Sequence, residues 1–468
     1  MKTLLCLAGL AAALCRPLAA QPAAPPAPYA PTWASLDSRP LPEWYDDAKL
    51  GIFVHWGPYA VPAFGPTDSD NVYAKYAEWY WKRLDDPAAE GHRAFRDFHD
   101  RVYGPDVRYQ DFAPQFKAEL FDPDQWARIF RDAGARYVVL TSKHHDGFAL
   151  WPSRYSWNWN AADVGPHRDL LGDLTAAVRR AGLRMGYYYS LYEWFNPRYH
   201  DDLGAYVDSY VWPQLRELVT TYEPDVVWAD GEWDHPSEAW KSTDFLAWLY
   251  NESPVRDRVV VNDRWGSETR ARHGGFYTTE YALVHDGALG EAAAQRKWEE
   301  CRGIGGSFGY NRAENLDDYQ TSEQLVHLLV DLVSQGGTLL LNVGPTADGR
   351  IPVLMQQRLR DLGDWLRVNG EAIYGTRPWQ PRAPAAETLR FTHRPGAVYA
   401  ISLGWPGGEL AVPMEPPPSG TTVTLLGREE PLAWRYDGGA LRATVPPLTV
   451  DQVPGRYAHA FRITLPGR

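Results

Sequence analysis

The chain has 468 residues, 44% of them hydrophobic, which is enough for a large apolar core and for more than one domain. Its net charge is −12 with no Lys/Arg run or basic patch, which argues against nucleic acid and anionic membrane surfaces as partners. The 21 Trp and 27 Tyr suit a carbohydrate-active protein, and equally any exported enzyme with a wide cleft.

Residues 1–20 (MKTLLCLAGLAAALCRPLAA) read as a secretory signal peptide: Lys2 at the start, a Leu/Ala run, then small residues at Leu18-Ala19-Ala20 for cleavage. The run is too short to span a bilayer, so export to the periplasm or beyond is expected, with no membrane insertion. Cleavage removes Lys2 and Arg16, taking the charge from −12 to −14, and leaves Cys301 as the only cysteine. No intrachain disulfide is then available, and a lone Cys reads as a buried apolar residue. Residues 21–32 (QPAAPPAPYAPT) read as an extended Pro/Ala-rich linker.

From 33 to 378 short apolar runs alternate with amphipathic segments. Strands are predicted at 50–55, 137–142, 184–190, 225–230, 258–262 and 338–343, and helices at 124–134, 170–181, 203–222, 239–251, 322–334 and 354–369. This alternation over some 330 residues predicts an α/β fold, a parallel sheet closed into a (β/α)8-like TIM barrel. Two further strands are then expected, within 70–120 and 270–310. Residues 379–468 carry no helical pattern. Runs such as VYAISL, TTVTLL, LRATV and AFRITL between Pro/Gly turns predict a small C-terminal antiparallel β-sandwich. Its sequence does not distinguish a structural prop from a sugar-binding module.

Polar and aromatic residues recur where the barrel strands should end, the face on which such barrels build their sites. They are His55-Trp56-Gly57; Lys143-His144-His145-Asp146; Tyr187, Tyr188 and Tyr189 followed by Glu193-Trp194; Asp230; Asn262-Asp263-Arg264-Trp265; and Glu280. In VVWADGEWD, Asp230 follows the apolar run 225–229, with Trp228 and Trp233 beside it as faces for the C–H surfaces of a sugar. His55, His144, His145 and Asp146 match no zinc spacing, and adjacent His residues in an extended strand would face opposite ways, so no metal or cofactor is expected. A neutral imidazole offers one donor and one acceptor, suited to neighbouring sugar hydroxyls. Glycoside hydrolysis needs two carboxyl groups flanking the scissile bond, and Asp230 and Glu280 at the ends of different strands can supply them. Glu280 lies among Tyr277, Thr278, Thr279 and Tyr281, a partly desolvating setting for an acid. Glu299 in RKWEEC is the alternative acid/base, although Arg296 and Lys297, if close, would keep it ionised. Glu78, in YAEWYW, reads with Trp79 as cleft lining.

The motifs WYDDAKLGIFVHWGPYAVPAF, EWYW, TSKHHDGFALWPS, GYYYSLYEW, VVWADGEWD, VVNDRWG, HGGFYTTEY, SFGYNR, LLLNVGPTADGRIP and NGEAIYGTRPW together resemble the α-L-fucosidases of glycoside hydrolase family 29. The resemblance implies a (β/α)8-like barrel with a C-terminal β-sandwich, no metal, and retaining hydrolysis of terminal α-L-fucosyl groups of oligosaccharides or glycoconjugates through a covalent fucosyl-enzyme. Carried over position by position, it implies Asp230 as nucleophile. It implies His55, Glu78, Trp79, His144, His145, Tyr188, Arg264 and Phe308 around the sugar. Glu280 matches the acid/base of one branch, and Glu299 a position proposed for another. An α-L-galactosidase on the same barrel, or a catalytically inactive carbohydrate-binding protein, is the alternative. The sequence leaves linkage preference and any homo-oligomer open.

Overall fold

Each of the six apolar runs forms a strand of one parallel sheet in the computed structural model, which describes residues 27–281 and 296–466. The strands are β1 (Leu50–Val54), β2 (Tyr137–Lys143), β3 (Arg184–Ser190), β4 (Val226–Asp230), β5 (Val260–Val261), β6 (Tyr277–Glu280), β7 (Trp298–Gly303) and β8 (Gly337–Val343). Both strands missing from the sequence reading, β6 and β7, fall within 270–310, and 70–120 contains no strand. That stretch forms short helices instead, among them Tyr80–Asp85 and His92–Val102. Phe95, Phe98, His99 and Val102 recur at helical spacing there, with Phe95, Phe98 and His99 buried.

The ladder order is β5-β4-β3-β2-β1-β8-β7-β6. The sheet is a curled barrel with a seam. Between β5 and β6 there is no ladder, and the Gly275 and Phe276 amides both reach the Val261 carbonyl at 3.1 Å. Alternate residues face the interior, where Phe53, Tyr137, Val139, Tyr188, Val226, Trp228, Cys301 and Leu340 pack together. Gly51 is required on β1 because the Tyr137 ring occupies the space its Cβ would fill.

The helices start where their caps are. Asp122 accepts from the Gln125 amide before Pro123–Asp132, Asp169 from Gly172 before Leu170–Arg180, and Thr321 and Gln324 form a capping box for Ser322–Ser334. The predicted 203–222 helix contains a π-type turn at Val207–Val211, and 239–251 breaks in two at Lys241, whose φ is 54°. The predicted 354–369 helix runs Val353–Asn369.

The C-terminal part has two antiparallel sheets. One pairs Thr422–Leu425, His459–Thr464, Ala397–Ser402, Leu389–Arg394 and Arg377–Pro378 in that order, and the other Glu409–Pro413, Ala440–Thr444 and Trp434–Asp437. They enclose their own apolar core around Phe391, Val412, Leu441 and Phe461. The predicted signal peptide 1–20 and residues 21–26 of the predicted linker lie outside the described residues. No helix among the described residues is long and apolar enough to cross a membrane.

Candidate active site

The C-terminal ends of the strands surround a cavity of about 400 Å³. Asp230, the last residue of β4, shares the inward face with Trp228 and Val226 because strand residues alternate. Its Oδ2 accepts from the Tyr188 hydroxyl at 2.8 Å, and its Oδ1 from Arg264 Nη1 at 2.7 Å. Burial pushes this carboxyl up, but Arg264, with His145 and Arg270, overrides burial and holds it at about 2. Asp230 is therefore ionised and oriented from both oxygens.

Glu280 ends β6 across the β5–β6 seam. Its Oε1 accepts from the Tyr76 hydroxyl at 2.8 Å and its Oε2 from Arg264 Nη2 at 3.1 Å. The partners of Glu280 thus come from elsewhere in the chain rather than from its Tyr and Thr sequence neighbours. One guanidinium spans both carboxyl groups. Arg264 is itself fixed by Nε donating to Thr278 Oγ1 at 3.0 Å and by lying 4.5 Å over the Trp228 ring.

The imidazoles take their tautomers from their neighbours. Asn342 uses its Nδ2 on the Phe308 carbonyl (2.7 Å), so its Oδ1 accepts from His55 Nδ1 at 2.8 Å. Ser190 spends its proton on the Tyr192 carbonyl (2.5 Å) and so accepts from His145 Nδ1 at 2.6 Å. Burial keeps both rings neutral, His55 at about 3 and His145 at about 4. Each then has an Nε2 lone pair as its remaining polar atom. That of His145 lies 3.8 Å from Asp230 Oδ2, a spacing that wants a hydroxyl donor between the two.

His144 and His145 both line the cavity, their rings 4.1 Å apart, contrary to the opposite-face expectation. The reason is that β2 ends at Lys143 and the pair sits in the following turn, where strand alternation no longer holds. The fully buried Lys143–Glu193 ion pair (2.5 Å) and the bond from the Trp194 amide to the His145 carbonyl (2.8 Å) hold that turn. Among the described residues no group of three or more His, Cys, Asp or Glu side chains is placed to hold a metal ion.

The 60–120 segment closes one side. Glu78 accepts from the Gly309 amide at 2.7 Å, and burial lifts its carboxyl to about 7. Trp79 meets the rings of His145 (5.1 Å), Trp194 (5.5 Å) and Trp233 (6.0 Å). Phe53 and Phe308 form an apolar wall beside His55.

Every sugar-facing residue singled out in the sequence lines this cavity, as do Asp230 and Glu280. Glu299 does not. It is 0% exposed in the barrel interior, and burial pushes its carboxyl up. Its neighbours in sequence turn away, Arg296 to Asp37 and Lys297 to Asp46. Phe53, Tyr73, Tyr76, Arg83, Arg270 and Cys301 also line the cavity and escaped the sequence reading. Tyr76, two residues before Glu78, could have been found by extending the EWYW motif toward the N-terminus. Arg270, in a loop without periodicity, carries no such signal. Cys301 is buried as expected, but against the cavity.

The family profile described as Alpha-L-fucosidase matches residues 17–371, and that described as Alpha-L-fucosidase C-terminal domain matches 384–464. An alpha-L-fucosidase of Branchiostoma floridae is 47% identical over 448 residues, 93% of this chain and 95% of that protein. The tissue alpha-L-fucosidase of Homo sapiens is 44% identical over 452 residues, 94% and 93% of the two chains. Among solved structures, Thermotoga maritima alpha-fucosidase in complex with a mechanism based inhibitor aligns with TM-score 0.78 at 39% identity, covering 93% of this chain and 100% of that one.

Proposed function

The chain belongs to the alpha-L-fucosidase family, and from that premise we propose that it is a retaining, exo-acting α-L-fucosidase acting on fucosylated oligosaccharides or glycoconjugates. The observation that carries the reading is the pair of carboxyl groups, Asp230 and Glu280, held by one Arg264 fork in a cavity of about 400 Å³. A cavity of that size walled by the 60–120 segment favours recognition of a chain end over an open strand of polysaccharide. The solved Thermotoga maritima alpha-fucosidase complex with fucose supports the same sugar.

Asp230, ionised and aimed by Tyr188 and Arg264, attacks the anomeric carbon while Glu280, entering as the carboxylic acid with one oxygen released from Tyr76 or Arg264, gives its proton to the departing glycosidic oxygen. Glu280, now a carboxylate, takes a proton from water. That water's oxygen attacks the same carbon, and the bond to Asp230 breaks, releasing fucose with its configuration retained. The Nε2 acceptors of His55 and His145 meet sugar hydroxyls, His144 and Trp79 flank the ring, and Glu78 at about 7 can donate or accept. Phe308 and Phe53 receive the 5-methyl group, and the hydroxymethyl of L-galactose would set a hydroxyl against the same rings. Residues 33–378 act as the catalytic barrel and 379–468 as its β-sandwich support. Residues 1–20 direct export, a reading that mass analysis of the mature chain from its producing cell checks.

The test is hydrolysis of 4-nitrophenyl α-L-fucoside by the parent, Asp230→Gly and Glu280→Ala, with and without azide. Asp230→Gly should lose on the order of 10⁴-fold in kcat and regain turnover with azide as β-fucosyl azide. Glu280→Ala should lose about 10²–10⁴-fold and give the α-azide. A parent that cleaves only another α-L-glycoside would overturn the substrate, and azide rescue of neither variant would overturn the assigned roles.

A further inference from the structure

Glu299 is a buried acid that the mechanism above does not use. The β6–β7 register pairs Thr278 with Glu299 and Glu280 with Cys301. Glu280 and Cys301 line the cavity, so Glu299, two residues earlier on the same inward face as Cys301, lies one layer below its floor, about 6–7 Å down at the rise of a strand. It is not idle there. Its Oε1 accepts from the Trp228 indole N–H at 2.9 Å, and its Oε2 from the hydroxyls of Tyr45 (2.7 Å) and Tyr137. Three buried donors thus converge on one carboxyl group.

The held indole is the floor on which the reacting groups rest. The Arg264 guanidinium lies 4.5 Å over the Trp228 ring, and Tyr188 stacks on it at 5.7 Å and 20°. Arg264 and Tyr188 are the two groups that hydrogen-bond Asp230, and Arg264 also holds Glu280. A shift of the indole therefore reaches both carboxyl groups, and misplacement by about 1 Å can cost on the order of 10²-fold in rate.

We propose that Glu299 is a positioning residue: by clamping the Trp228 indole from below, it sets where Arg264 and Tyr188 stand and so aligns Asp230 with Glu280. The proposal rests on the fucosidase reading above. It separates Glu299 from the acid/base role that its place in RKWEEC invites.

The experiment compares the parent, Glu299→Gln, Trp228→Phe, their double variant and Glu280→Ala on aryl α-L-fucosides of graded leaving-group pKa, with and without azide. Glu299→Gln and Trp228→Phe should each lower kcat/KM about 10- to 100-fold and by the same factor for every leaving group, without azide rescue. The double variant should be little worse than the more damaged single one. Glu280→Ala should lose most with poor leaving groups and be rescued. Azide rescue of Glu299→Gln, or a loss that grows with leaving-group pKa, would make Glu299 the acid/base and overturn the proposal. Full activity of folded Glu299→Gln would overturn it too. Trp228→Phe keeps the ring but not its N–H, so it decides the matter if Glu299→Gln does not fold, and full activity there would also count against the clamp. A parent inert on every fucoside would bring down the functional reading itself, whereas an active parent with unaffected variants would fail the positioning proposal alone.

Discussion

His55 and His145 show how a single side chain acquires a chemical role from its second neighbour. Asn342 and Ser190 each have their own proton committed elsewhere, which forces Nδ1–H on both rings and leaves an Nε2 acceptor. Protonation would turn each acceptor into a donor, and in His145 would set a cation against the Asp230 carboxylate. Burial prevents this near neutrality, with His55 held at about 3 and His145 at about 4, while Asp230 stays ionised down to about 2. Neither imidazole should therefore add an acid limb to kcat/KM between pH 7 and 5, so any limb there should belong to Glu78, whose carboxyl lies at about 7, and vanish in Glu78→Gln. An acid limb near pH 6.5 that persists in Glu78→Gln would show that one of these imidazoles takes up a proton in the working enzyme. The residue types at these positions were legible in the sequence, but the tautomers were not, because they depend on bonds between β1 and β8 and between β2 and β3.

Strand parity and register operate at the scale of the element. Parity places Asp230 above Trp228 on β4 and Cys301 above Glu299 on β7. Register then sets Glu280 level with Cys301, so the two candidate acids end on different layers of one barrel. The turn after β4 depends on Gly231, whose φ is 76° and whose added Cβ would stand 2.5 Å from Tyr192 Cβ. Gly231→Ala should cost about 1–3 kcal/mol in a urea midpoint and lower kcat by displacing Asp230. An unchanged midpoint would show that the turn relaxes freely. The long strands and helices were readable from periodicity and caps. β5, β6 and β7 were harder, since β5 has two residues and WEECRG, with Glu299 and Glu300 adjacent, shows no alternation of apolar and polar side chains. The 70–120 segment was expected to hold a strand only because a count of eight left strands unplaced, and the helical spacing of Phe95, Phe98 and His99 argues against one.

The β-sandwich sits against the barrel at the scale of the whole molecule. Trp365 on the Val353–Asn369 helix donates its indole N–H to the Ala458 carbonyl at 2.8 Å, and the Ala460 amide reaches Asn369 Oδ1 at 3.2 Å. No described residue after 378 lines the cavity. Trp365→Ala should therefore destabilise by about 3–5 kcal/mol and lower Tm, while KM for the aryl fucoside stays within about twofold. A changed KM would mean that the sandwich reaches the site. The buried imidazoles act on global stability as well. Their folded pKa values lie below the ordinary 6.5, so the stability they contribute is fully present above that pH. It falls as pH drops toward their folded values, because only the unfolded chain then binds protons. Each costs up to about 1.4 kcal/mol per pH unit across that window, while the buried carboxyls of Glu78, Asp146 and Glu314, raised to about 7, act with the opposite sign. The imidazole share is therefore read by difference: on going from pH 7 to pH 5 the parent should lose more Tm than His55→Asn. An equal change in the two would mean that the His55 ring is hydrated rather than buried.

The sequence by itself determined the alternation of strands and helices, the polar bias at the strand ends, the motifs of the family and most of the residues that line the cavity. These are local properties, carried by side-chain period and by short runs of residue types. Tertiary structure decided which of two acids in neighbouring strands faces the cavity, which tautomer each imidazole holds and how one arginine serves two carboxyl groups. Those depend on register between strands and on contacts between residues tens to hundreds of positions apart, such as Glu299 with Tyr45 and His55 with Asn342. The period of a single strand fixes a side chain's face but not its height in the barrel, and in this barrel the height separates the acid at the floor of the cavity from the acid beneath it.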